Sequence, residues 1–155
     1  MSNNTNTNRL IAVIRLRGTV GIKPNAKKTM ESLNLNRKFS CIIMPDTDIT
    51  AGMLQAAHDY IAFGKINDES LLKLLLEKRG RTIIGNKKLE GNGLEAAFES
   101  LRSSARVPIG VRKVFHLHPP TKGFKGRGIK TARAQKGNLG RWADGAIEEL
   151  LRRMI

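Results

Sequence analysis

The chain has a single cysteine in 155 residues, so no disulfide can close within it and nothing in its sulfur content calls for an oxidising compartment. Cys41 sits in the apolar run FSCIIM, where a lone thiol behaves as a small buried hydrophobe. Aromatics are scarce at 5 % of residues, which leaves Phe124 and Trp142 as the candidates for stacking on unpaired bases. No apolar run approaches the roughly 20 residues of a membrane-crossing helix. The opening MSNNTNTN has neither the basic nor the apolar part of a signal peptide, so a soluble, cytoplasmic protein is expected.

Signatures of catalysis are missing too. There is no nucleophile elbow, no Cys/His pairing pattern and no carboxylate cluster. His116 and His118 would share one strand face, but further ligands for a metal are lacking. Gly123 to Gly128 has phosphate-loop spacing, yet Ile129 stands where the loop lysine belongs. Gly91-Asn92-Gly93 is better explained as a helix-entry turn. Asp46 and Asp48 lie in a strand-to-helix loop, where capping accounts for acids without chemistry. No enzyme, cofactor or metal is expected.

Acid is the other shortage. Thirteen Asp and Glu face 28 Lys and Arg, giving a formal net charge of +15 and a pI near 10.7. Residues 1–43 carry a balance of +7, residues 44–101 a balance of −2 and residues 102–155 a balance of +10, with no acid between Arg102 and Ala143. A mixed solvated surface would intersperse the signs. Two basic ends around a near-neutral middle suit one polyanionic partner, nucleic acid first.

Periodicity supplies the elements. Residues 1–8 read as a disordered arm. In RLIAVIRLRG, Leu10, Ala12, Ile14 and Leu16 face one way and Ile11, Val13, Arg15 and Arg17 the other, a strand with one apolar face and a basic end opposite. Pro24 opens a helix with Ala26, Met30 and Leu33 inward and Lys27 and Lys28 outward. KFSCIIMP is a second strand. A helix capped by Asp48 or Thr50 and a third strand, IAFGKI, follow. Helices at such intervals must cover one face of a small sheet. Residues 67–104 add helices, one from an Asp68 cap to Gly80, the other with Leu94, Ala97, Phe98 and Leu101 on one stripe. VRKVFHLHPP is a strand with Arg112, His116 and His118 on its polar side. The closing helix, capped by Asp144, turns Ile147, Leu150, Leu151 and Met154 inward.

Between that last strand and helix lies LHPPTKGFKGRGIK, with two prolines, three glycines and no acid. It cannot build a core. Its glycines allow a phosphate backbone close approach, and neutralised phosphates release counterions. With aromatics so few, structured RNA recognised by shape and backbone fits better than base reading.

Four segments are similar to the large-subunit ribosomal protein family L-thirty, in its longer archaeal and eukaryotic form, whose eukaryotic members are called L-seven. They are LIAVIRLRG before a lysine-bearing helix, PDTDITAGMLQAAHDYIAFGKIN, LHPPTKGFKG and KGNLGRWADGAIEELLRRMI. The likeness runs from Arg9 to Ile155. It implies an α+β fold: a small antiparallel three-stranded sheet with two helices on one face (strand-helix-strand-helix-strand, ferredoxin-like), plus added helices and a basic C-terminal extension. The expected division is an arm at 1–8, an α+β core at 9–66, a helical insertion at 67–104 and a strand, extension and terminal helix at 105–155, all one domain. It further implies a structural, non-enzymatic constituent of the large ribosomal subunit. Its partners would be large-subunit ribosomal RNA, with 5S RNA nearby, and other large-subunit proteins. One position departs: relatives often carry Arg just before the Gly-Met pair, where this chain has Ala51, so no phosphate contact is carried over to it. The expected RNA-binding residues are Arg15, Arg17, Lys23, Lys27 and Lys28 at the core, Arg112 on the later strand, and Lys122, Lys125, Arg127, Lys130, Arg133, Lys136 and Arg141 in the extension, which would order only in the assembled particle. The competing reading is a general nucleic-acid-binding architectural or regulatory protein.

Overall fold

A strand that is apolar at five of six positions, LIAVIR, belongs in the middle of a sheet, and every residue of β1 (Leu10–Arg15) is buried. The computed structural model describes residues 10–104, 106–124, 126, 131–132, 135, 137–143 and 145–155. The elements that follow are α1 (Pro24–Ser32), β2 (Ser40–Pro45), α2 (Asp48–Ala56), β3 (Ile61–Ile66), α3 (Glu69–Arg79), α4 (Asn92–Ser104), β4 (Val114–His116), β5 (Gly140–Arg141) and α5 (Ile147–Met154). β1 pairs antiparallel with β2 on one side, Ile14 opposite Cys41, and with β3 on the other, Ile14 opposite Ala62. β4 extends the sheet antiparallel to β2, and β5 parallel to β3, giving the order β4-β2-β1-β3-β5.

The expected three-stranded antiparallel unit is therefore present as β2-β1-β3, but the described sheet has five strands rather than three. Both faces are covered, not one. Strand alternation sends Leu10, Ala12, Ile14 and Leu16 into one core and Ile11 and Val13 into the other. The second core lies under α1 and α2, through Ala26, Met30 and Leu54. The first is closed by Leu71, Leu72, Leu75 and Leu76 of α3, Ala97 and Leu101 of α4, and Ile147, Leu150, Leu151 and Met154 of α5. Strand β1 reads as half polar only because Arg15 ends its odd face; Ile11 and Val13 on that face are as buried as the residues of the even one.

The helix ends follow from local chemistry. Thr47, not Asp48, caps α2: its hydroxyl accepts from the Thr50 amide at 3.2 Å, while the Thr50 hydroxyl accepts from the Thr47 amide at 3.0 Å. Asp68 caps α3 by accepting from the Ser70 amide at 2.9 Å. Gly80 ends α3 with extended backbone, φ −63°, so its lack of a side chain is steric: a Cβ there would lie 2.3 Å from the Leu76 carbonyl oxygen. The expected cap of α5, Asp144, lies outside the described residues, as do residues 1–9. Instead Glu148 Oε1 accepts from the amides of Asn67 and Asp68 at 2.7 and 3.0 Å, tying α5 to the β3–α3 turn. Among the described residues no helix is long and apolar enough to cross a membrane.

Gly64 sits in β3 where α5 packs closest. A Cβ there would lie 3.2 Å from Ile147 Cγ2 and from Trp142 Cβ. Gly64→Ala is expected to lower the unfolding free energy by about 1–3 kcal/mol in urea titrations through overpacking. Gly18→Ala, with nothing within 4 Å of the added methyl, should change it by less than about 0.5 kcal/mol.

Candidate nucleic-acid interface

The basic strand end divides into one buried arginine and an exposed remainder. Arg15 is only 3 % exposed and does not reach the surface expected of it. Its guanidinium donates to the carbonyls of Leu35 at 2.6 Å, Arg17 at 2.9 Å and Gly18 at 3.2 Å, and burial lowers its pKa from the ordinary arginine value. The reason is position: the central strand is roofed to its end by the chain that follows α1. Arg17 is half-buried, its guanidinium carbon 5.1 Å from the centre of the Tyr60 ring. The Tyr60 hydroxyl accepts from the Lys23 amide at 3.1 Å, which fixes the start of α1. Lys23 Nζ lies 3.9 Å from Asp59, an exposed pair of little energetic weight. Lys27 and Lys28 stand exposed on α1, whose first turn contains no acid and no side-chain cap.

A second basic region is a cleft of about 800 Å³ beside strand β4. One wall is the α1–β2 loop with Asn34, Asn36 and Arg37; the other runs from Arg106 to Lys113. Arg112, expected on the polar side of the later strand, lies here with its amide donating to the Arg81 carbonyl at 2.8 Å. Arg37, Arg106 and Lys113 were not singled out from the sequence. None of the described residues lining the cleft is acidic. The floor holds Ser40 and His116, cross-strand partners of β2 and β4. Ser40 is fully buried and among the described residues its hydroxyl finds no hydrogen-bond partner.

Two of the seven cations expected in the extension are among the described residues. Lys122 is exposed, at the left-handed φ of 66°. Arg141 is exposed in β5 and lines a small depression with Asp46, Ala51, Gln55 and Lys65. Lys125, Arg127, Lys130, Arg133 and Lys136 lie outside the described residues. Neither aromatic named for base stacking is free to serve. Phe124 stacks on Phe39 with centroids 6.2 Å apart, and Trp142 is buried with Nε1 donating to the Asn138 carbonyl at 3.0 Å. Lone Cys41 is buried as expected, and burial pushes its thiol up to about 12.

Partial burial, then the nearby positive charges of Arg37 and Arg112, hold the His116 imidazole below its usual range. The unfolded chain therefore binds this proton more tightly, and stability contributed here falls as pH drops through the ordinary imidazole range toward the depressed value. An NMR titration should find His116 titrating below a solvent-exposed histidine, with Arg37→Ala or Arg112→Ala each moving it upward.

The family model described as Ribosomal protein L30p/L7e matches residues 11–61, from within β1 to the start of β3. A "Large ribosomal subunit protein uL30" of Archaeoglobus fulgidus is 38 % identical over 143 residues, covering 84 % of this chain and 91 % of that protein. Proteins of the same name are 35 % identical over 154 residues in Methanococcus maripaludis, covering 93 % of this chain and 98 % of that protein, and 36 % identical over 156 residues in Korarchaeum cryptofilum, covering 94 % and 95 %. The resemblance carried by the four sequence segments thus extends across the core, the added helices and the C-terminal part alike, and the chain belongs to the family of Ribosomal protein L30p/L7e.

Proposed function

We propose that this chain is a structural, non-enzymatic constituent of the large ribosomal subunit, held in the ribosome by ribosomal RNA on its basic surfaces. The relatives' printed names support the subunit assignment. The observation that carries the RNA reading is the separation of charge: exposed Lys23, Lys27 and Lys28 on α1, and the cleft with no acid among its described lining residues. Large-subunit RNA, with 5S RNA nearby, and neighbouring large-subunit proteins are the proposed partners. Arg17, Lys23, Lys27 and Lys28 form the core surface. Arg112, Lys122 and Arg141 add to it, joined by Lys125, Arg127, Lys130, Arg133 and Lys136. Arg15 serves by holding the loops from which the core cations project.

The mechanism is electrostatic. Each phosphate neutralised releases counterions, so affinity falls steeply with salt. No acid lies within α1's first turn or among the described residues lining the cleft, and of the described acids only Asp59 approaches Lys23; others join elements elsewhere. Asp46 pairs with Lys65 at 3.3 Å, Glu69 with Arg102 at 3.2 Å, and Asp68 with Arg152. A general nucleic-acid regulator would need a helix free to enter a groove. The acidic start of α5 is anchored to the β3–α3 turn and its apolar face is buried, so that alternative is weaker.

Native lysate run on a sucrose gradient, with and without ribonuclease, tests the reading. The protein should be stoichiometric in large-subunit and whole-ribosome fractions and leave them after ribonuclease; presence only at the top of both gradients would overturn it. In binding to extracted large-subunit RNA, the double change Lys27→Ala/Lys28→Ala should flatten the slope of log affinity against log salt by about 1–2, the loss of about two phosphate contacts.

A further inference from the structure

The cleft beside β4 contains more than a phosphate patch requires. Its cations, Arg37, Arg106, Arg112 and Lys113, come from both walls. Between them the second wall is apolar, with Val107, Pro108 and Ile109; Ile109 is fully exposed to solvent, and Ile83 and Ile84 of the neighbouring turn are also exposed. The first wall offers the amides of Asn34 and Asn36, groups able both to donate and to accept. The floor holds the unpartnered Ser40 hydroxyl beside His116. A smaller depression of about 340 Å³ shares Asn34, Arg106, Val107 and Lys113 and continues past the end of α1 between Leu33 and Ile42. The volume of the main cleft lies within the roughly 300–1,000 Å³ of pockets that enclose small organic ligands.

We infer that this groove receives an unpaired segment of RNA, its phosphates on Arg37, Arg106, Arg112 and Lys113 and one unstacked base lodged against Val107, Pro108 and Ile109. The inference rests on the RNA-binding reading and makes it specific. Phosphates alone would explain the cations but not an apolar wall, two amides and a buried free hydroxyl at one place. A duplex keeps its bases stacked inside, whereas a single strand can present a base with its hydrogen-bonding edge free. In the absence of aromatic side chains, the base has aliphatic surface and arginine guanidinium planes to lie against. A protein partner would also cover exposed isoleucines, but a wholly basic rim favours a polyanion.

The full-length chain can be titrated with a short oligouridylate, an RNA duplex of similar length, an oligoglutamate and extracted large-subunit RNA. Oligouridylate should bind more tightly than duplex and shift the His116 ring resonances of the wild-type chain, raising the pH at which His116 titrates. Arg37→Ala/Arg112→Ala should weaken oligouridylate binding by about tenfold or more and flatten its salt slope by about 1.4, the loss of two single-strand phosphate contacts. Ile109→Ser should weaken binding and leave that slope unchanged, as loss of a base contact requires. Both arginines and Ile109 are exposed. The wild-type His116 resonance also reports on occupancy of the groove without any variant. If extracted RNA binds but His116 does not move and Arg37→Ala/Arg112→Ala has no effect, the groove assignment is overturned and the RNA-binding reading stands. If no RNA binds at low salt, both fall. If oligoglutamate moves His116 as strongly as oligouridylate does, the groove belongs to an acidic protein and the inference is wrong.

Discussion

The buried guanidinium of Arg15 fixes the position of both basic regions of the core. A charge removed from water is tolerated only when its donors find partners, and here each guanidinium nitrogen donates to a backbone carbonyl. Two of these, Arg17 and Gly18, begin the loop that leads to Lys23, Lys27 and Lys28. The third, Leu35, belongs to the loop that carries Arg37 into the cleft. The carbonyl of Arg15 accepts from the Phe39 amide at 2.7 Å, closing the same loop onto the strand a second time. A lysine has no planar fork with which to join two loops at once. Arg15 is therefore an internal brace, and the exposed cations of the core stand on segments it positions.

A chain with net charge +15 must also avoid scattering its few acids where they would neutralise that surface. The acids on the face covered by α3, α4 and α5 show how this is arranged. Glu148 binds backbone amides of the β3–α3 turn, Asp68 caps α3 and meets Arg152 of α5, and Glu69 of α3 pairs with Arg102 of α4. These contacts fasten the added helices to one another and to the sheet. The exposed pairs among them contribute little energy singly. Their effect on the field is larger: negative charge is held between α3, α4 and α5, away from the described lining of the cleft.

Most of the elements could be read from the sequence because their cores repeat with helical or strand period. Ala26 with Met30, the leucines of α3 and the Ile147–Met154 face of α5 are examples. What escaped was whatever lacks a period. Two residues, Gly140 and Arg141, form β5, too few to alternate. A charged last residue made β1 look one-sided, yet Ile11 and Val13 pack under α1 and α2 while Leu10, Ala12 and Ile14 pack under the helices that follow residue 67. The cleft is assembled from the α1–β2 loop, the 106–113 segment and a turn near Ile83, distant in sequence and individually unremarkable. One signal did point to it: the acid-free span from Arg102 to Ala143, which contains Arg106, Arg112 and Lys113. Arg37, just before β2, had no comparable flag.

The proline- and glycine-rich exit from β4 was expected to gain order only from RNA, yet its first half is held by the protein itself. Helix C-termini leave carbonyls without partners, and an extended chain passing nearby can supply the donors. The amide of His118 donates to the Met154 carbonyl at 3.2 Å and that of Thr121 to the Arg153 carbonyl at 3.0 Å, both at the end of α5. Arg153 returns a bond from Nη1 to the Gly123 carbonyl at 2.6 Å. One residue before this segment docks, the Leu117 amide donates to the Phe39 carbonyl, and Phe39 stacks on Phe124. The cleft floor at His116, the brace at Arg15 and the docked half of the extension are thus linked through Phe39. The proposed RNA contacts of the extension and of the cleft would therefore act on segments of the protein that are joined through Phe39.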